Sequence, residues 1–293
     1  MEKITFINSK GQSIQLGNDG PFILTKIEGT GAVNADIQSH KSPYQDGETY
    51  IDNTLEPRSL SIEIMVLAED KEEMMKNRRK LLQVFNPKLG PGKLIYEFGN
   101  NRKEIEAISE LAPVFPDAGD FKDTMQPSLI QLFAPNPFWQ DKEEFKTDIS
   151  TETGNFSFPL EIPTEGLELS IRTISFITNI YNQGDVDTPI KVKLKAVGTV
   201  INPIIENLDT GEFIRVKRTL AEGDALEINT AFGNKRVEII KPDGSRENVF
   251  HYIDYKSTFF QLAGGDNTIK YDAEVGENNL DVSIYYTPNY LGI

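Results

Sequence analysis

Residues Leu55 to Phe98 read LEPRSLSIEIMVLAEDKEEMMKNRRKLLQVFNPKLGPGKLIYEF, and their changes of period decide the fold. Leu60, Ile62, Ile64 and Val66 alternate with Ser61, Glu63 and Met65. Such a period of two marks a strand with one buried face. Asp70 followed by Glu73 forms a capping box, because the aspartate accepts from an exposed amide of the first turn while the glutamate reaches back. A helix is therefore predicted from about Lys71. At roughly 100° per residue, Met74, Met75, Leu81, Leu82, Val84 and Phe85 share one half of it, and Lys76, Arg79, Lys80 and Glu72 mostly share the other. Arg78 projects from the middle of the apolar arc. Asn86-Pro87 ends the helix, since proline disfavours helical backbone in the residue before it, and Gly90-Pro91-Gly92 turns the chain into a second strand, KLIYEF.

The remaining composition bounds the class. The chain has 293 residues, 38% hydrophobic and 26% charged. That suffices for a real core and suggests two domains. A formal net charge of -15 argues against broad nucleic-acid or anionic-membrane binding, which calls for clustered Lys and Arg. The absence of cysteine excludes disulfides, thiolate nucleophiles and Cys-based metal sites. No apolar run is long enough to span a bilayer, and MEKITFINSK lacks the apolar core of a signal peptide, so synthesis in a cytoplasm is expected. Neither low-complexity sequence nor a short-period repeat is present.

Outward from the central stretch, ITFIN and SIQLG flank Lys10-Gly11 as an opening hairpin, and FILTKIEG follows Asp19-Gly20-Pro21. Thr30 to Tyr44 has little apolar periodicity and reads as a long loop that reaches contacts outside the domain. KEIEAISEL pairs back on KLIYEF across Gly99-Asn100-Asn101. PVFPDAGDFKDTMQP follows, and SLIQLFAPNPFW closes the first half. One helix among many strands makes residues 1–141 an α+β domain dominated by β. DKEEFKTDISTETG is a linker or the first strand of the next domain, with Phe145 as its anchor. FSFPLEI, LELSI, TISFITNIYN, IKVKLKA, PIIEN, EFIRVKRTL, ALEINTA, RVEIIK, NVFHYIDY, TFFQLA, NTIKYDA and LDVSIYY are short strands between Gly, Asp or Asn turns. Residues 142–293 therefore read as an antiparallel β-sandwich, jelly-roll or galectin-like.

No catalytic constellation emerges. His40 lies in a polar segment without a nucleophile or acid in a triad order, and His251 in NVFHYIDY is a lone imidazole on a strand, too little for zinc. The acidic runs Glu69–Glu73 and Asp141–Glu144 sit at a helix start and a linker, where solvated faces suit them better than paired-carboxylate chemistry. Asp185-Val186-Asp187 and Asp266–Asp272 lack the calcium-loop pattern and read as turns. Gly29-Thr30-Gly31 lacks the third glycine and following helix of a dinucleotide loop. Tyr252, Tyr255, Phe259 and Phe260, with Tyr285, Tyr286 and Tyr290, are candidates for a sugar-stacking platform, although strand alternation sends about half of such residues into the core. Catalytic, cofactor and metal residues are thus expected to be none.

The segment RRKLLQVFNPKLGPGKLIYEF, APNPFW at the close of the first domain, and NQGDVDTPIKVKLKAVG, NPIIENLDTGEFIRV and LAGGDNTIKYDAE in the second resemble the distal tail protein family of long-tailed bacteriophages. The resemblance implies a structural, non-enzymatic virion protein at the tail tip, in which the first domain builds a hexameric ring on the tail tube. The second domain would face baseplate, tail-tip or receptor-binding proteins. A closed ring requires two different complementary faces on each protomer. Candidate ring surfaces are the strand Leu60 to Val66, the helix and the Thr30–Tyr44 loop, with Leu60, Ile62, Ile64, Met74 and Arg78 as candidate interface residues. Arg78 either lays its stem along apolar surface with its head in water, or meets a carboxylate or a neighbouring subunit. A carbohydrate-binding module that recognises host surface glycan is the alternative reading. No nucleic-acid partner or membrane insertion is expected.

Overall fold

The computed structural model describes residues 2–31, 33–117, 123–149, 151–154, 170–173 and 176–293. The chain divides into one unit of residues 1–142 and 289–293 and a second of 143–288. The last five residues thus return to the first unit, which corrects the boundary expected at 141/142 followed by an uninterrupted second domain.

The first unit runs β1 (Glu2–Ile7), β2 (Ser13–Leu16), β3 (Phe22–Glu28), β4 (Ala35–His40), β5 (Thr49–Leu55), β6 (Arg58–Leu67), α1 (Lys71–Val84), β7 (Gly92–Phe98), β8 (Asn101–Ser109), β9 (Met125–Ala134) and β10 (Trp139–Asp141). Seven strands pair in the order β2-β1-β7-β8-β9-β6-β3. A parallel bridge between Gly17 and Ile23 joins the two ends of that path, with Gly17 N–H donating to Phe22 O at 3.1 Å and Leu24 N–H to Gly17 O at 2.8 Å. Closing the sheet on itself removes its edges. Side chains of alternate residues, among them Ile4, Leu16, Leu60, Ile62, Leu94 and Ile130, fill the interior.

Helix α1 begins where the capping box places it. Asp70 accepts from the Glu73 N–H at 2.8 Å, while the Glu73 carboxylate reaches one residue beyond the cap, to the Glu69 N–H at 2.7 Å. Its buried stripe is Met74, Leu81 and Val84, and Phe85 at its end stacks on Phe6, ring centroids 4.7 Å apart. Met75 and Leu82, expected inside, are exposed. The inward stripe is narrower than half a helix because α1 rests on the barrel along one line. Asn86 then caps a 3-10 turn at Pro87–Leu89 by accepting from Lys88 N–H. The Thr30–Tyr44 segment is not a loop throughout, since β4 pairs with β5 as a separate two-stranded sheet. The sequence hides these strands because their side chains are almost all exposed, so no buried face imposes a period. Ala118 to Lys122, within PVFPDAGDFKDTMQP, lie outside the described residues.

The second unit contains β11 (Phe145–Asp148), β12 (Thr151–Gly154), β13 (Ser170–Thr173), β14 (Ile177–Asn182), β15 (Ile190–Ala196), β16 (Val200–Asn207), β17 (Glu212–Arg215), β18 (Thr219–Leu220), β19 (Ala225–Asn229), β20 (Arg236–Ile240), β21 (Arg246–Asn248), β22 (Gly265–Val275) and β23 (Leu280–Tyr286). One sheet has the order β11-β23-β15-β19-β20-β21 and the other β14-β22-β16-β17, with β18 also on β16. All these pairs are antiparallel. Val192, Leu194, Ile205, Leu226, Ile269 and Ile284 meet in one core, as in a β-sandwich. DKEEFKTDIS is therefore not a bare linker, since Phe145 opens a strand against β23 and stacks on Tyr286 at 5.6 Å. β12 and β13 pair only with each other among the described residues. FSFPLEI and most of LELSI lie outside those residues. NVFHYIDY is a 3-10 turn at Phe250–Tyr252 rather than a strand, and TFFQLA is irregular apart from a bridge at Leu262. TFFQLA mimics a strand pattern because Phe260 and Leu262 are buried.

Candidate assembly surfaces

Strand β6 pairs along both edges, with β3 and with β9. Leu60, Ile62 and Ile64 are 0–2% exposed, and Met74 of α1 is 2% exposed. These four expected interface residues are therefore corrected to core residues of their own unit. Turning each outward would forfeit about 1.5–3 kcal/mol of apolar burial. Arg78 is half-buried, with its guanidinium 4.5 Å above the Phe115 ring. It lies in line with Met74 and Leu81, and Phe115 accounts for that position by offering an aromatic face at the rim of the core.

The same alternation contains a residue that sequence reasoning passed over. Arg58 stands in phase with Leu60, Ile62 and Ile64 and is 1% exposed. Its Nε donates to Pro137 O at 2.8 Å, and its two terminal nitrogens donate to Gly29 O and Leu291 O. The signal is the phase of the period, extended two residues toward the N-terminus. Burial pushes its pKa down from the usual arginine value. Beside it, Trp139 of the APNPFW phrase is fully buried and donates from its indole to Thr30 O at 3.0 Å. β24 (Asn289–Tyr290) pairs with β10. Tyr290 donates to Asp141 at 2.8 Å, and Lys103 bridges to the same carboxylate at 2.6 Å. Arg58 thus gathers three segments distant in sequence, and one of them is the returning C-terminus.

Among the described residues, two of the surfaces that present apolar side chains to solvent are grouped. In the β4–β5 hairpin, Ile37, Tyr50 and Ile51 are 60–64% exposed, and Tyr44 at its turn is fully exposed. His40 is exposed on β4. In the second unit Phe232, Phe250 and Tyr255 are exposed, and cations lie over Phe232 and Tyr255. Lys235 lies 4.8 Å over Phe232 and 5.3 Å over Phe259, and Phe250 stacks on Phe259 at 5.6 Å. Arg218 lies 4.9 Å over Tyr252, whose other neighbour is His251 at 4.1 Å. Of the candidate platform aromatics, Phe260 and Tyr286 are buried, so no single flat platform contains them all. Asp185–Asp187 lie between β14 and β15, whereas Asp266–Asp272 lie within β22 and not in a turn.

The chain thus combines a barrel unit carrying α1, the one α-helix among the described residues, with an antiparallel sandwich unit. The phage tail protein RIFT-related domain matches residues 9–133, and the siphovirus-type tail component, C-terminal domain, matches residues 183–290. The two matches together take in most of the chain, which belongs to the distal tail protein family of long-tailed bacteriophages, as a structural component of the tail. Among solved structures, the SPP1 Dit protein, described as a paradigm of the hub adsorption apparatus in phages infecting Gram-positive hosts, superposes with a TM-score of 0.70 at 12% identity, covering 98% of each chain. A chain of the phage P2 baseplate in its activated conformation with calcium gives a TM-score of 0.53 at 9% identity over 98% of each chain. The strontium form of that baseplate gives 0.53 at 10% identity over the same share of each chain. No curated protein matches the chain by sequence.

Proposed function

We propose that six copies of the chain close into a ring at the end of the tail tube, with the β4–β5 hairpin laid against the neighbouring protomer. The observation that carries this reading is the hairpin itself. It pairs with no other strand among the described residues, yet it exposes Ile37, Tyr50 and Ile51. An isolated two-stranded hairpin is only marginally stable in water, and clustered exposed apolar side chains mark interaction surfaces. A heterologous contact of this kind, repeated around an axis, closes a ring. The second unit then offers its aromatic–cation surface to tail-tip or receptor-binding proteins, since aromatic and arginine side chains are favoured at interfaces. The role is structural and without catalysis, in a virion made in the bacterial cytoplasm.

Mass photometry and negative-stain imaging of the chain, alone and with the tube protein of its phage, test the ring. The double variant Ile37→Asp, Ile51→Asp should abolish ring-sized species while its melting temperature stays within about 2 °C of wild type, as expected for surface substitutions. Rings that form unchanged in this variant would overturn the hairpin's role.

A further inference from the structure

The solvent face of the β14-β22-β16-β17 sheet holds a trough of about 380 Å³ lined by Asn202, Ile204, Glu206, Arg215, Asp272, Ala273 and Glu274. Register explains the grouping. Ile204 stands between Asp272 of β22 and Arg215 of β17, and Glu206 stands between Lys270 and Phe213. Alternation along β16 turns Pro203, Ile205 and Asn207 into the core, which leaves Asn202, Ile204 and Glu206 facing out.

Most of the polar groups of the trough have partners around it. The Asn202 amide donates to the Glu274 carboxylate at 2.5 Å, and Lys270 donates to Asp272 at 2.8 Å. Arg215 lies 5.5 Å over the Phe213 ring, with Asp254 4.0 Å from its guanidinium. Asn202 has a φ of +53°, one of two positive values among described non-glycine residues. Asparagine tolerates that conformation better than most residues.

We infer that this trough binds one ring of a neutral or amino-bearing saccharide, a hexose or hexosamine unit of a surface glycan. Carboxylate acceptors, two of them fixed by Asn202 and Lys270, lie beside arginine and amide donors, which suits a ligand dense in hydroxyl groups. Ile204 and the nearby Phe213 supply apolar surface for a sugar's C–H face. The volume lies within the range of small-molecule sites. Glu206, Asp272 and Glu274 outnumber Arg215 and Lys270, so sugars bearing phosphate, sulfate or carboxylate are disfavoured. A metal is the poorer occupant, because no group of three or more His, Asp or Glu converges as a metal site among the described residues. The inference is independent of the ring.

Saturation-transfer NMR and calorimetry on the full chain test it with galactose, rhamnose, N-acetylglucosamine, glucosamine, glucuronate and a lysine tripeptide as probes. At least one neutral or amino sugar should bind, and Glu206→Ala and Arg215→Ala should each weaken it at least about tenfold, equivalent to ~1.4 kcal/mol. Melting curves confirm that both variants fold, and mass photometry should find their assembly state unchanged, which separates this result from the ring reading. Glu206→Gln and Arg215→Lys serve where an alanine variant misfolds. Failure of all the sugars to bind would overturn the inference. So would preference for glucuronate or the lysine peptide, or sugar binding indifferent to the variants.

Discussion

Replacing Arg58 with methionine keeps an apolar stem of similar length in the barrel but strips donors from the carbonyls of Gly29, Pro137 and Leu291. A buried acceptor left without a partner costs about 1–3 kcal/mol. Carbonyl oxygens sit at the lower end of that range, because a single lost donor is tolerated better at C=O than at N–H. The Pro137 carbonyl is buried and those of Gly29 and Leu291 are partly buried, so the three sum to at most about 3 kcal/mol by that measure. Relief of the desolvated guanidinium offsets a part, leaving a net loss of about 2–3 kcal/mol. For a unit of this size, that corresponds to a fall in melting temperature of about 4–12 °C. Differential scanning calorimetry should show the loss in the transition of the first unit, with the transition of the second unmoved. Arg58→Lys, which presents a compact point charge instead of a planar fork, should also lose stability. An Arg58→Met protein as stable as wild type, or more so, would refute the reasoning, since desolvation would then outweigh all three hydrogen bonds.

Gly29→Ala should destabilise by at least about 2 kcal/mol, because a residue at φ +89° is strained and the new Cβ would clash with the Ser59 carbonyl oxygen; urea denaturation measures it, and a neutral result rules out so close an approach of these backbones. The Arg78–Phe115 pair should show a coupling of about 0.5–1 kcal/mol in a double-mutant cycle with Arg78→Ala and Phe115→Leu, and zero coupling would mean that the stack contributes nothing. Asp254 accepts from the Lys256 N–H and from Lys217, which hold its carboxyl below the usual range. A depressed folded-state pKa contributes stability that is present above the unfolded value of about 4 and lost as pH falls through the folded one. Asp254→Asn should therefore lose more stability at pH 7 than in acid below both values. Guanidinium titrations at both pH values check this, and equal losses would exclude the linkage.

The strand, capped helix, Asn-Pro stop and second strand expected between Leu55 and Phe98 all form, because each depends on interactions within a few residues or on a period set by one buried face. The β-sandwich is also legible, since alternating strands between turns leave few other solutions. The β4–β5 hairpin escapes a sequence reading because its exposed strands carry no such period. TFFQLA misleads because the burial of Phe260 and Leu262 in an irregular segment imitates strand alternation, and NVFHYIDY misleads because its aromatic residues suit a strand although Phe250 and Tyr255 are exposed. Met75 and Leu82 show that an apolar arc marks which residues can be buried, while the shape of the surface beneath decides which of them are.

By itself the sequence determined the order and kind of the local elements, the two-part division, and the phase of β6 that points Arg58 and Leu60 to the same side. Only the tertiary structure decided what meets them there. The return of Asn289–Ile293 to the first unit brings Leu291 to Arg58 across 233 positions, and Gly29 meets the same guanidinium from 29 positions away. Such contacts leave no local period, because their partners are chosen by the path of the chain in space. For the same reason, Leu60, Ile62, Ile64 and Met74, which the sequence offered for assembly, are core, and of the surfaces it offered the Thr30–Tyr44 region, with its exposed hairpin, is left as the candidate ring contact.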